Sequence, residues 1–307
     1  GKIITHPEGH PRGLVEAFAP GWIAWLLKDG VATGVSTPEE ARAEVDARAD
    51  SGADAIKVVV DSIPLEADIM AEPVLRSVVD RARERGLRTV AHIGTTDDAI
   101  VAAENGAALW VHGVYKERIP DDKVAQIASY GIPMVTTSEV FDSYGRALAG
   151  PRESTDLEEN MVSPEKIASF HPFPEDFDLG ALESWLNLMQ ETRKVRLDNV
   201  GRLHAAGVTI LAGSDTQSGV FPGAGLHREL VTLVAAGLTP AEALRAATLD
   251  PARYLEQTDN PQSGVIAPGK RADLVLVNGD PIQDIAAASD IREVILNGKL
   301  LERQSLN

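Results

Sequence analysis

The feature that most constrains this chain is the stretch 88–113, RTVAHIGTTDDAIVAAENGAALWVHG, which twice delivers a histidine to the end of a short apolar run. Thr89, Val90 and Ala91 lead into His92, and Ala108 to Val111 lead into His112. Between them, Thr96 or Asp97 can cap a helix through Asn105, whose Ala99, Ile100, Ala102 and Ala103 are spaced to face a sheet. A parallel βαβ unit puts both strand ends on one side of the sheet, so the two imidazoles can converge. The pattern continues upstream in the run 55–60, which carries Lys57, and downstream in 208–215, which ends in Asp215. One histidine at a strand end is ordinarily a satisfied structural group, and a lysine within an apolar strand can be a buried ion pair or reach the rim. A series of ionisable residues in successive strands instead suggests a site.

The flanking sequence keeps to the same alternation. Thr37-Pro38-Glu39-Glu40 and Thr239-Pro240-Ala241-Glu242 each start a helix with a capping threonine and a proline at the first position. Helices are expected at 72–85, 121–130 and 180–206 and from about 224, with a strand at 132–137. The segment 141–179 is Pro-rich and charged, holds His171, and has the length of a lid over a mouth. His6 and His10 bracket a Pro/Gly loop whose spacing suits a metal only on a helix, which Pro7 and Gly9 oppose; His10 is a candidate substrate contact. From 264 onward strands and turns replace helices, with a hairpin turn at Asn297-Gly298. We therefore expect a large domain over 1–260 and a small β-lobe over 261–307.

Composition narrows the function classes. With 46 acidic against 29 basic residues the net charge is -17, which repels a nucleic-acid backbone. The absence of Cys excludes disulfides, thiolate zinc sites and a cysteine nucleophile. No transmembrane run or signal peptide is recognisable, and no nucleotide-binding glycine motif occurs.

Taken in order, the strand lysine in ADAIKVVV, the histidines in TVAHIG and LWVHG, the aspartate in ILAGSDT and the tail GVIAPGKRADLVLVNGDP with VILNGK resemble the metal-dependent amidohydrolase superfamily, in its imidazolonepropionase-like and prolidase-like branch. The resemblance implies a (β/α)8 TIM-type barrel, here strands three to eight, with a small β-sandwich lobe completed by the C-terminal segment. It implies that Lys57 is carboxylated and bridges two divalent metals, zinc being favoured without excluding manganese, iron or cobalt. It makes His92 and His112 ligands of the second metal, and Asp215 both a ligand of the first and the general acid/base for a metal-activated hydroxide. It also makes Tyr115 a substrate contact, beside a plain reading as a packed rim aromatic. The implied substrates are small amides, cyclic amides or dipeptide-like molecules, with neither nucleic acid nor membrane as partner and homo-oligomerisation left open.

The family's first-strand HxH pair is missing, and the chain opens at Gly1 within the strand-like Lys2 to Thr5. We therefore expect a longer parent polypeptide, a cytoplasmic location being slightly favoured and export left open. Two alternatives stand beside the hydrolase: a barrel lyase or aldolase using Lys57 as a Schiff-base nucleophile, and a non-catalytic binding relative lacking the first metal site.

Overall fold

The alternation of apolar and polar positions at a period of two lays out the sheet. A computed structural model describes residues 2–13, 15, 23, 27, 29–149, 153–170, 178–217 and 219–302. His171 lies outside these residues. The chain divides into two units, Gly1–Val135 with Pro174–Asn199, and Thr136–Phe173 with Val200–Asn307.

In the first unit the order is β1 (Ile3–Thr5), β2 (Ala32–Gly34), α1 (Pro38–Asp50), β3 (Ala55–Val59), α2 (Glu72–Glu84), β4 (Arg88–His92), α3 (Thr96–Glu104), β5 (Leu109–Val111), α4 (Asp121–Ser129) and β6 (Met134–Val135). The strands run parallel in the order β2-β1-β3-β4-β5-β6, and from β3 on each pairs with the next in sequence, as alternating strands and helices of the barrel class do. Two short strands thus precede the one that carries Lys57, the first of them within the strand-like Lys2 to Thr5.

Register separates the two faces. Ile4, Val58, Ala91, Trp110 and Met134 are aligned across five strands, and all have 0% exposure. This row faces the helices, since the Trp110 indole donates to the Ala99 carbonyl of α3 at 3.0 Å. On the other face Lys57 aligns with Val90, and Val59 aligns with His92 and then Val111. Lys57 and His92 therefore share a face.

The helix starts show why these segments are helical. Thr37 caps α1 through a reciprocal capping box with Glu40, as expected. For α3 the cap is Thr95, one residue earlier than expected, because Asp98 can reach back only from that register to close the box.

The second unit takes up α5 (Ser138–Ala149), α6 (Asp156–Met161) and α7 (Pro164–Ala168), so the segment expected to form a lid is largely helical. Thr155 and Ser163 cap the two short helices. The single helix expected at 180–206 is two, α8 (Leu182–Glu191), which belongs to the first unit, and α9 (Arg193–Ala205), which begins in the first unit and ends in the second. The break lies at Thr192, whose hydroxyl donates to the Leu188 carbonyl at 2.7 Å while the buried Arg196 guanidinium bonds both the Met189 carbonyl and the Thr192 hydroxyl.

There follow β7 (Ile210–Leu211), α10 (Ala224–Ala235), α11 (Pro240–Ala246) and α12 (Leu249–Glu256). Within this unit the Thr136 N–H donates to the Leu211 carbonyl at 3.2 Å. The chain closes on β8 (Leu274–Val277), β9 (Ile291–Leu296) and β10 (Lys299–Leu301), an antiparallel sheet in the order β10-β9-β8. Its hairpin turn is at Asn297-Gly298 as expected, with φ of 50° and 75°, the pair of positive values that a type I′ turn needs. No helix among the described residues is long and apolar enough to cross a membrane.

Within the second unit α10 and α5 are tied by one carboxylate. Glu229 has 0% exposure and accepts the N–H of Ser138 at 2.9 Å, the N–H of Glu139 at 2.8 Å and the Thr136 hydroxyl. It thereby satisfies orphan donors at the start of α5. Burial pushes its carboxyl up from 4.5 to about 7, and Glu139 adds to the rise, although the hydrogen bonds favour the charged form. Its folded value lies above its unfolded one, so folding takes up a proton between them. The stability this group contributes is full below pH 4.5 and is lost as the pH rises through about 7. That amounts to about 3 kcal/mol. In Glu229→Gln, which cannot ionise, the loss of stability between about pH 5 and about pH 8.5 in urea titrations is expected to shrink by roughly that amount. An unchanged loss would show that Glu229 ionises as freely in the fold as in the unfolded chain.

Candidate active site

The first unit brings His10, His92, His112, Lys57 and Tyr115 together. His92, the last residue of β4, is 4% exposed. Its ring centroid is 4.0 Å from that of His112 and 5.0 Å from that of His10, which meets it edge-on. Strand alternation would send His112 to the helix side, because its neighbour Val111 aligns with His92. A φ of 83° at His112 breaks that alternation and brings its imidazole beside His92. A non-glycine residue in this region carries about 1–2 kcal/mol of strain.

Burial dominates the electrostatics. It holds His10 down from 6.5 to about 4; Asp61 opposes the shift, while Lys57 and Lys116 add to it. Burial also pushes His92 and His112 well below the ordinary value. The neighbouring imidazoles and Lys57 lower both further, Lys116 lowers His92, and Asp61 opposes the shift at His112. All three rings are therefore neutral at neutral pH, the state in which an imidazole nitrogen binds a metal. Tyr115 is 1% exposed, and burial followed by the Asp61 carboxylate pushes its hydroxyl well above its usual range.

Asp61 and Lys116 were not foreseen. Asp61 closes the same apolar run that carries Lys57, is 1% exposed, and pairs with Lys116 Nζ at 2.6 Å. The signal was an ionisable residue at a strand end, the same one that marked His92 and His112. His6 takes no part with His10; its Nδ1 accepts the Glu8 N–H at 3.2 Å and lies 3.9 Å from Asp68. Asp215 belongs to the second unit, where it is half-buried with φ 43° and accepts the Gln217 amide at 2.9 Å.

Among the described residues no three His, Asp or Glu side chains are already gathered as a metal cage. The chemistry of the donors nevertheless fits a divalent cation. The imidazoles are neutral and adjacent, and the buried His10 Nδ1 has no hydrogen-bond partner among the described residues. One nitrogen of His92 is occupied by a carboxylate, Nε2 lying 3.1 Å from Asp61 Oδ2, which is the usual support of a ligating histidine.

Comparison with solved structures shows the fold. A Xaa-Pro dipeptidase with methionine bound in its active site superposes with a TM-score of 0.70 at 23% identity, over 99% of this chain and 67% of that one. A prolidase complexed with N-methylphosphonate-L-proline gives 0.70 at 22%, over 99% and 68%. The ochratoxinase of A. niger gives 0.69 at 22%, over 98% and 64%. The chain thus spans about two thirds of the length of these proteins. No curated protein matches its sequence. The model of the amidohydrolase family matches residues 11–301, nearly the whole length, and the chain belongs to that family of hydrolases of C–N bonds, whose members generally bind divalent metals.

Proposed function

We propose that the chain hydrolyses the C–N bond of a small amide, cyclic amide or dipeptide-like substrate with the help of a divalent cation. The observation that carries this reading is the pair His92 and His112, neutral and 4.0 Å apart at the ends of consecutive strands, with Lys57 on the face that bears His92. His92, His112, a carboxylated Lys57 and Asp215 would hold the cation, zinc suiting such nitrogen and oxygen donors. When bound, a divalent cation supplies a water acidic enough to react near neutral pH and polarises the substrate carbonyl.

The chain's own residues do the rest. As general base Asp215 takes a proton from the attacking water; as general acid it returns that proton to the amine nitrogen as the C–N bond breaks. Tyr115 and His10 would orient the substrate, and burial keeps the Tyr115 hydroxyl protonated and His10 neutral at working pH. Carboxylation replaces the ammonium charge of Lys57 with an anionic carbamate. This resolves the cost of a cation whose charge acts on three buried imidazoles. Similarity to the dipeptidase and prolidase folds supports the dipeptide-like class.

Metal content per chain, measured by elemental mass spectrometry in bicarbonate buffer, tests this. Divalent metal is expected in the purified protein and is expected to fall in Lys57→Ala and His112→Ala. Asp215→Asn is expected to lower kcat on a library of amides and dipeptides by about 10²–10⁴-fold, the usual contribution of a general acid/base. Absence of metal from the purified protein together with no turnover would overturn the reading.

A further inference from the structure

Asp61 lies two residues beyond the end of β3, and the surrounding chain is built to hold it. Oδ1 accepts the Ser62 N–H at 2.8 Å and pairs with Lys116 Nζ at 2.6 Å. Oδ2 accepts the Tyr115 hydroxyl and lies 3.1 Å from His92 Nε2. Lys116 is anchored in turn by the Ser62 carbonyl at 2.6 Å and the Ser62 hydroxyl at 3.0 Å. Gly94, two residues past His92, makes the room: a Cβ there would stand 2.4 Å from Oδ1. Its carbonyl also accepts the N–H groups of Tyr115 at 3.0 Å and Lys116 at 3.1 Å. Three successive strand ends therefore converge on one carboxylate.

The chemistry of the contact selects a tautomer. A neutral imidazole carries one N–H and one lone pair, and a carboxylate can only accept. Both Asp61 oxygens face donors, Oδ1 the Ser62 N–H and Lys116 Nζ and Oδ2 the Tyr115 hydroxyl, so the side chain stands as an acceptor and the nitrogen facing it carries the proton. That nitrogen is Nε2, which leaves the lone pair on Nδ1.

We propose that Asp61 is the positioning residue of the site: it holds the His92 ring in place and fixes its Nε2–H tautomer, so that Nδ1 is the nitrogen that coordinates the cation. The role toward a cation rests on the hydrolase reading; the tautomer does not. Were Asp61 only the counter-ion of Lys116, the proton on His92 would be indifferent to it.

The test is the full chain labelled with [15N]histidine, its tautomers read from long-range 1H–15N correlations and the His92 signal assigned by its loss in His92→Gln. The wild type is expected to show a protonated Nε2 and an unprotonated Nδ1. In Asp61→Asn the amide can donate to Nε2, so the proton is expected to move to Nδ1 in part or in full. Zn2+ affinity, measured by chelator competition, is expected to fall about 10–100-fold. Gly94→Ala is expected to disturb the same signal by crowding Oδ1. A wild-type proton on Nδ1 would overturn the proposal, even if neither variant folds; so would a tautomer and a Zn2+ affinity unchanged in Asp61→Asn. A tautomer that responds to Asp61 in a protein that turns over no amide leaves the positioning role standing and removes the hydrolase reading. Turnover with an unresponsive tautomer does the reverse.

Discussion

The first unit depends on the pleat of a parallel sheet held in register. Because alternate residues face opposite ways, one alignment produces both an apolar row and a chemical face. The row Ile4, Val58, Ala91, Trp110 and Met134 is sealed completely, and it fixes where Lys57 and His92 point on the other side. A slip of one residue in β4 would bury His92 against the helices and turn Ala91 toward the site. The apolar row thus sets the geometry of a site that it never touches.

That geometry creates an electrostatic imbalance which the polar residues must resolve. The whole chain carries -17, but Lys57 and Lys116 both act on the buried His92. Burial and these cations both disfavour protonated imidazoles, so the cluster sheds its protons onto solvent and keeps lone pairs. Asp61 answers Lys116 directly, with Tyr115 and His92 completing its contacts. Lys57 bears on all three rings, and its conversion to a carbamate under the proposed function would replace that positive charge with a negative one.

Much of this was legible in the sequence because it follows short periods. The strand-helix-strand at 88–113, the cap at Thr37 and the turn at Asn297-Gly298 each rest on residues within a few positions of one another. Family-level motifs added the fold. What escaped depends on partners distant in sequence or on competing local bonds. Asp61 acquires meaning only when Tyr115, 54 residues later, bonds to it. The helix break at Thr192 lies where the Arg196 guanidinium bonds the Met189 carbonyl and the Thr192 hydroxyl shares the Leu188 carbonyl with its own N–H, and apolar periodicity does not report that competition. The cap of α3 was misplaced by one residue because Thr95 and Thr96 are equally good caps in isolation; the reach of Asp98 decides between them.

The strand ends show what it takes to turn a sheet into a site. A pleated strand can offer only every second side chain to a given face, so a residue that must join its neighbour out of turn has to leave the pleat. His112 does so with φ 83° after β5, and Thr137 and Asp215 adopt φ 45° and 43° after β6 and β7. Each non-glycine residue held there costs on the order of 1–3 kcal/mol, and such strain persists only where the surrounding structure overdetermines it. At His112 the backbone N–H is fixed by the Val135 carbonyl at 2.8 Å, and the ring is packed against His92. A pleated conformation at His112 would return the imidazole to the helix side of the sheet, the side that Trp110 faces. The convergence of the two histidines is therefore a departure from the pleat, held by the bond to Val135 and by the packing of one ring on the other.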